Sequence, residues 1–216
     1  MAGYVVVLDA NVLYGIEVTD LLATMATRRL FRPHWSPQIL DEVTRNLSTR
    51  HDLDPVAIQR RIGHLNRALP DALTKVPESL IEAMPVNDKD RHVLALSVQV
   101  GAPTIVTENL RDFPTELCEP FGVEAIDRDT FTLAQTHLYR DDVLASIDAM
   151  AQRRVRARRP EPTSSNGSAT TSRWPWPPSV EVSRPDETPS RDELAFGTLS
   201  RCRASLLGGL PPSHGR

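Results

Sequence analysis

The stretch that most limits how this chain can fold is the apolar run from Val5 to Leu8, which ends directly at Asp9. Four apolar residues are too few to span a membrane. They suit a strand buried on both faces, as in a parallel sheet covered by helices. Ligands of open α/β sheets bind at the carboxyl ends of the strands. Asp9 is therefore either part of such a site or the N-cap of the next helix, and both roles suit this stretch equally.

Strand-like and helical segments alternate downstream, which favours an α/β domain with a mostly parallel sheet. Pro33 makes the second strand either an edge strand or a short one, because proline donates no hydrogen bond to a neighbouring strand. The predicted strands cover residues 5–8, 30–35, 104–107 and 122–126. The predicted helices begin at Val12, Pro37, Pro55, Glu78 and Arg91; one more follows the capping residue Asp129, and the last starts at Asp141.

Two of these helices carry specific expectations. The first is predicted to run unbroken from Val12 to Arg29. The last is predicted to bury one apolar face formed by Val143, Leu144, Ile147 and Val155.

Charge is divided unevenly along the chain of 216 residues. Residues 1–150 hold 14 Lys and Arg against 22 Asp and Glu, whereas residues 151–216 hold 11 against 6. An acidic body repels a phosphate backbone, so action on nucleic acid would need metal ions, a basic partner or the basic segment. Two cysteines provide neither a disulfide framework nor metal-ligand spacing. Because no long apolar run or signal peptide is present, the protein is expected to be soluble and cytoplasmic.

The character of the sequence changes near residue 157, where Arg, Pro, Ser and Thr replace aliphatic residues. Residues 160–216 are therefore predicted to be largely disordered. Five arginines mark the junction: Arg153, Arg154, Arg156, Arg158 and Arg159. They are either an RNA contact or a solvated helix end, where the helix dipole favours cations.

Four acidic residues lie where the predicted fold would place a site. Asp9 and Asp112 follow strands, Glu42 lies beside the apolar face of a helix, and Asp90 opens another helix. Simpler roles are open to two of them. Glu42 has a possible surface partner in Arg45, three residues on. Asp90 is a possible helix cap.

Carboxylates gathered in one cleft repel one another and become protonated unless cations neutralise them. Oxygen ligands of this kind suit Mg²⁺ or Mn²⁺. A pair of such ions about 4 Å apart stabilises both the attacking and the leaving oxygen of a phosphoryl displacement. The four acids thus point to metal-dependent phosphodiester chemistry, provided that the fold brings them together.

Four stretches, taken in order, resemble PIN-domain ribonucleases, in particular the VapC-type toxins of bacterial toxin–antitoxin pairs. They are VVLDANVL at Val6–Leu13, PQILDEV at Pro37–Val43, NDKDRHVLALS at Asn87–Ser97 and TIVTENLRDFP at Thr104–Pro114. Each stretch places polar residues at the predicted edge of the site. The resemblance covers roughly residues 4–140.

The resemblance implies that Asp9, Asp90 and Asp112 are metal ligands. It implies that Glu42 contacts the metal or its waters. Asp90 matches better than Asp88, because Asp90 directly precedes the buried helix.

Supporting polar positions also match. Asn11, Thr107 and Asn109 correspond to residues that orient the ligands or the bound phosphate. Many family members carry Asp where this chain has Asn109, so the fourth carboxylate is Asp112 or is absent. His92 fits a position on the face of its helix better than a catalytic role.

The family implies a Rossmann-like α/β/α sandwich and hydrolysis of RNA by a water activated by Mg²⁺ or Mn²⁺. It also implies a cognate antitoxin and frequent homodimers, with no membrane association. We expect a PIN-like nuclease domain over residues 1–140, a helical extension over 141–159 and a tail over 160–216. Two alternatives are a PIN-like module that binds RNA or protein without cutting, and an RNA-processing nuclease that is not a toxin.

Overall fold

Four parallel strands form one sheet in the part of the chain that the computed structural model describes, residues 3–50 and 53–158. The strands are β1 (Val5–Leu8), β2 (Arg32–His34), β3 (Thr104–Val106) and β4 (Glu124–Ile126). Their order across the sheet is β2–β1–β3–β4, and each neighbouring pair is parallel. The predicted α/β class is confirmed, and β2 lies at an edge, as its proline requires.

Helices pack around this sheet. Within the described residues they are α1 (Ala10–Leu13), α2 (Ile16–Thr27), α3 (Pro37–Arg50), α4 (Pro55–Ala68), α5 (Glu78–Glu82), α6 (Arg91–Val100), α7 (Thr115–Cys118), α8 (Arg128–Leu138) and α9 (Arg140–Arg158). Successive side chains of a strand point to opposite faces of the sheet. Because Val6, Val7 and Leu8 are all at most 2% exposed, both faces of β1 are covered.

The helices that approach the ends of the strands begin and end where the sequence signals predict. The hydroxyl of Ser36 accepts a hydrogen bond from the backbone three residues on, which caps α3. The carboxylate of Asp54 caps α4 in the same manner. Gly101 ends α6 with a φ of 65°, a conformation that glycine adopts without strain. These signals fix the positions of Glu42 on α3 and of Asp90 before α6.

The segment predicted as one helix over residues 12–29 is instead two helices. α1 is a single turn that ends at Leu13, and α2 begins at Ile16. Gly15 between them has an extended backbone, with φ of −72° and ψ of 119°. At this break the side chain of Tyr14 reaches α3, where its hydroxyl contacts Glu42.

α8 is capped by Asp127, so the prediction that Asp129 caps it was wrong. The carboxylate of Asp127 accepts hydrogen bonds from both the backbone N–H and the hydroxyl of Thr130, each at 2.7 Å. Asp127 has the extended backbone of an N-cap, with φ of −75° and ψ of 161°, because it directly follows β4. The side chain of Asp129 lies in the first turn and is 92% exposed.

α9 packs against α2 through a mixed face of apolar and polar residues. Val143 is buried, as predicted, and Ser146 is fully buried beside it. The prediction that the other apolar residues of α9 share this buried face was wrong. Their exposed fractions are 47%, 40% and 63% for Leu144, Ile147 and Val155.

Two of the five junction arginines contribute to this helix pair. Arg153 lies 2.7 Å from the carboxylate of Asp20, and Arg154 lies 2.9 Å from that of Glu17. Both acids belong to α2, so these arginines join α9 to the body of the protein. The side chains of the other three arginines lie outside the described residues.

α9 begins at Arg140, and the domain boundary expected near that residue stays a prediction. The prediction of disorder for residues 160–216 lies outside the described residues. Across the described ranges, no helix combines the length and apolarity needed to cross a lipid bilayer.

Candidate active site

Asp9 and Thr107 meet at the centre of the sheet, where β1 and β3 end side by side. After β1 the chain adds β2 on one side, and β3 then pairs on the other side. Such a switch point opens a crevice at the carboxyl ends of the strands, where α/β proteins bind ligands. The N–H of Asp9 donates to the carbonyl of Val106 at 3.0 Å, and the Thr107 hydroxyl donates to Asp9 Oδ2 at 2.7 Å.

The carboxylate of Asp9 caps the next helix and also contacts polar residues at the carboxyl ends of the strands, where the sequence predicts a site. Its Oδ1 accepts the N–H of Ala10 at 2.6 Å and caps α1. Its Oδ2 accepts hydrogen bonds from Asn11 Nδ2 and Thr107, both at 2.7 Å. Burial raises the pKa of Asp9, these hydrogen bonds oppose the rise, and the negative charge of Glu42 adds to it.

Asn11, Thr107 and Asn109 form a scaffold around Asp9. Asn11 Nδ2 donates to the Thr107 hydroxyl at 2.9 Å, and its Oδ1 accepts the N–H of Glu108 at 3.0 Å. The N–H of Asn109 also donates to the Thr107 hydroxyl, at 3.0 Å. Because this hydroxyl accepts two hydrogen bonds, its own proton is directed to Asp9. These hydrogen bonds are compatible with the orienting role that the resemblance implies for these residues, which stays a prediction.

Asp90 precedes α6 in the N-cap position, but its side chain makes no capping hydrogen bond. Its Oδ2 is buried without a hydrogen-bond partner in the described residues, and lies 3.5 Å from Lys89 Nζ. Burial and the negative charge of Asp112 raise the pKa of Asp90 to about 6, against the effect of Lys89. Asp88, the alternative in the sequence, is 90% exposed and pairs with Arg91 at 3.0 Å. The geometry therefore favours Asp90 as the site residue.

Asp112 lies next to Asp90 and shares a cation with it. Asp112 ends the short 3₁₀ turn Leu110–Asp112, and its Oδ2 accepts a hydrogen bond from Lys89 Nζ at 2.8 Å. Asn109 Nδ2 donates to the same oxygen. The contacts with Asp112 and Asp90 raise the pKa of Lys89. Lys89 thus bridges two of the four candidate carboxylates.

Glu42 faces this site from α3. Its Oε1 accepts the hydroxyl proton of Tyr14 at 3.2 Å. Within the described part of the chain, no ion pair joins Glu42 to Arg45, the partner that the sequence offered. The charge of Glu42 also acts on His92, whose pKa is lowered by burial and raised in part by this carboxylate.

The sequence reasoning missed several residues that support these acids. Lys89 was a visible signal, since it stands directly between Asp88 and Asp90. Tyr14, Asn46 and Arg61 gave no comparable signal, because their contacts join α1, α3 and α4 through the tertiary structure.

The carboxylate oxygens of Asp9, Glu42, Asp90 and Asp112 are ligands of the kind that a hard divalent cation binds. In this structure these four carboxylates are not grouped around one point. Among residues 3–50 and 53–158, no three His, Cys, Asp or Glu side chains are arranged to hold a metal ion as they stand. Burial is the main cause of the raised pKa values of Asp9 and Asp90, and the negative charges of Glu42 and Asp112 add to the rise. Lys89 supplies positive charge there, and its Nζ lies 3.5 Å from the buried Oδ2 of Asp90.

Comparisons with known proteins agree with this architecture. Residues 5–111 match the family model described as "PIN domain". Over 71 residues the chain is 44% identical to "Putative ribonuclease VapC50" of Mycobacterium tuberculosis (strain ATCC 25618 / H37Rv). That stretch is 33% of this chain and 42% of the relative, so the match spans less than half of that protein. No solved structure matches the chain significantly.

Proposed function

Because residues 5–111 form a PIN domain, we propose that this chain is a divalent-metal-dependent endoribonuclease and the toxin of a toxin–antitoxin pair. The observation that carries the proposal is the position of Asp9. It lies at the switch point between β1 and β3, held by Thr107, with the charges of Glu42, Asp90 and Asp112 in its surroundings. The similarity to a protein named as a ribonuclease supports the choice of RNA as substrate.

Asp9, Asp90 and Asp112 would hold Mg²⁺ or Mn²⁺, with Glu42 contacting the ion directly or through water. A divalent ion bound there would polarise the phosphoryl oxygens and lower the pKa of a water molecule. The chain's own residues prepare this site. Thr107 and Asn11 orient Asp9, while Asn109 orients Asp112.

The distribution of charge supports a dependence on cations for RNA binding. Residues 1–150 carry an excess of acidic residues, which repel a phosphodiester backbone, and bound cations would offset this charge. We further propose a cognate antitoxin protein that binds this chain, a homodimeric assembly, and a cytoplasmic location. These follow from the likeness to the VapC-type relative.

The test is cleavage of purified RNA with Mg²⁺ or Mn²⁺, with EDTA as the metal-free control. The double variant Asp9→Asn, Asp90→Asn should lose cleavage while its fold is retained. Asp88→Asn is the matched control, because Asp88 is exposed and paired away from the site, and its activity should equal that of the unmodified protein. Metal-dependent cleavage that persists in the double variant would place the reaction elsewhere.

Experiments with the same protein also distinguish the two alternative functions. RNA binding without cleavage at any metal concentration would identify a module that binds but does not cut. A nuclease that is not a toxin would cleave RNA without arresting growth when expressed. The proposed toxin should arrest growth, and the double variant should not.

A further inference from the structure

Tyr14 lies at the break between α1 and α2, within hydrogen-bonding distance of Glu42. Its hydroxyl donates to Glu42 Oε1 at 3.2 Å. Asn46, one turn beyond Glu42 on α3, donates its side-chain N–H to the same hydroxyl. Asn46 Nδ2 also lies 3.0 Å from the carbonyl of Glu42. With an N–H donor on one side, the hydroxyl proton of Tyr14 is directed to the carboxylate.

The backbone of Tyr14 is held from another direction by Arg61 of α4. Arg61 Nη1 donates to the carbonyl of Tyr14 at 3.0 Å, and Nη2 donates to that of Leu13 at 2.6 Å. Nη2 also donates to the hydroxyl of Thr19 at 3.2 Å. The last carbonyls of a helix need partners from outside it, and here the half-buried guanidinium of Arg61 and the hydroxyl of Thr19 supply them. The position of Tyr14 is therefore fixed at both its main chain and its side chain.

We propose that Tyr14 is a positioning residue that orients Glu42 toward the metal ion, with Asn46 and Arg61 holding Tyr14 in place. The inference rests on the proposed function, since Glu42 has this role only if the crevice binds a metal. A flexible glutamate on a helix loses side-chain entropy when it binds an ion. A hydrogen bond that already fixes one of its oxygens reduces that loss, and such outer contacts commonly change metal affinity 10- to 100-fold.

The experiment measures Mn²⁺ affinity without RNA, by titrating MnCl₂ and following free Mn²⁺ by electron paramagnetic resonance. Tyr14→Phe removes only the hydroxyl and should raise the dissociation constant about tenfold. Tyr4→Phe is the matched control. Tyr4 precedes β1, at the opposite end of the strand from Asp9, and its hydroxyl pairs with Thr104. This control should leave Mn²⁺ affinity unchanged.

A double-mutant cycle separates action through Glu42 from a general effect on folding. Glu42→Gln should weaken Mn²⁺ binding by itself. In the Glu42→Gln background, Tyr14→Phe should have no further effect, because the carboxylate that it orients is absent. Additive losses would overturn the proposal. Urea unfolding of each variant checks that the fold is retained.

The remaining outcomes distinguish this inference from the proposed function. If Asp9→Asn and Glu42→Gln weaken Mn²⁺ binding but Tyr14→Phe does not, the positioning role is wrong and the metal site stands. If none of the three changes Mn²⁺ affinity, the proposed function fails and this inference fails with it. If the Tyr14→Phe variant does not fold, Asn46→Ala replaces it in the test, because it removes the hydrogen bond that holds the Tyr14 hydroxyl. Asn46→Ala should give a smaller loss of Mn²⁺ affinity, and this loss should also be absent in the Glu42→Gln background.

Discussion

Asp90 illustrates how a single carboxylate can be held ready for a cation. Its side chain makes no capping hydrogen bond to α6. Burial and the negative charge of the neighbouring Asp112 raise its pKa to about 6. The neutral form is favoured below that pH, so cation binding must compete with protons. The affinity for a divalent ion should therefore fall as pH decreases through about 6 and level off above 7.

Calorimetry checks this expectation directly. At pH 6, Mn²⁺ binding should release at least about half a proton, because Asp90 is half protonated there. At pH 8 the same protein should release almost none. Comparing buffers of different ionisation enthalpy gives the number of protons at each pH. Equal release at both pH values would show that the Asp90 carboxyl does not control binding.

Lys89 supplies positive charge to the crevice and therefore competes with an added cation. It contacts both Asp90 and Asp112 and is itself exposed. Lys89→Met should strengthen Mn²⁺ binding several-fold, measured by titration. Lys75→Met, at an exposed lysine in another part of the chain, is the control and should have no effect. Weaker binding in Lys89→Met would mean that Lys89 supports the ion instead of competing with it.

For single residues, the sequence predicted the positions of the candidate acidic residues better than it predicted which residues contact them. Asp9 and Asp112 follow strands, and the order of the motifs restricted the choice of the others. The bonds that orient them join residues such as Asn11 and Thr107, or Tyr14 and Glu42, that are far apart in the chain. Local patterns carry no information about such contacts.

Among the secondary-structure elements, α9 shows why a helix pattern can mislead. Its apolar residues predict a buried face, yet the helix turns two arginines toward the acids of α2. The energetic gain from these ion pairs depends on their burial. Arg153 and Asp20 are 17% and 16% exposed, whereas Arg154 and Glu17 are 38% and 76% exposed.

The difference in burial predicts unequal effects of two adjacent substitutions. Arg153→Ala should lower the free energy of unfolding by about 2 kcal/mol, because it removes a charged hydrogen bond to the mostly buried carboxylate of Asp20. Arg154→Ala should change it by less than about 0.5 kcal/mol, as is typical of exposed ion pairs. Urea denaturation measures both. Similar losses in the two variants would contradict the assignment of the stabilising contact to Arg153.

Element positions were largely predictable because strands and capped helices leave local signals. The break at Gly15 was missed, since the apolar residues on its two sides continue one helical pattern. The cap of α8 was missed because Asp127 and Asp129 both suit an N-cap by residue type. The strand predicted over residues 122–126 ends where β4 ends, and Asp127 is the one of the two that directly follows it.

For the whole molecule, the exposed apolar residues of α8 and α9 are the feature to test for self-association. Leu133, Leu144 and Ile147 are 53%, 47% and 40% exposed. If the proposed homodimer uses this surface, replacing Leu144 and Ile147 with Glu should convert the dimer to a monomer in sedimentation experiments.

The control for that experiment is Val56→Glu, because Val56 is 60% exposed on α4 and lies outside this surface. It should leave the oligomeric state unchanged. A dimer that persists after both substitutions on α9 would place the interface elsewhere. A monomer at all concentrations of the unmodified chain would exclude the homodimer itself.

The pairing of β1 with β3 has a consequence for the protein during its synthesis. Asp9 is synthesised about 100 residues before its partner Thr107 and the carboxylate of Asp112. Chains are synthesised at about 5–20 residues per second, so that interval lasts roughly 5–20 s. On the proposed function, a nascent chain is harmless to the RNA around it until residue 112 has emerged. A partner that recognises an earlier segment therefore has several seconds to bind before the nuclease exists.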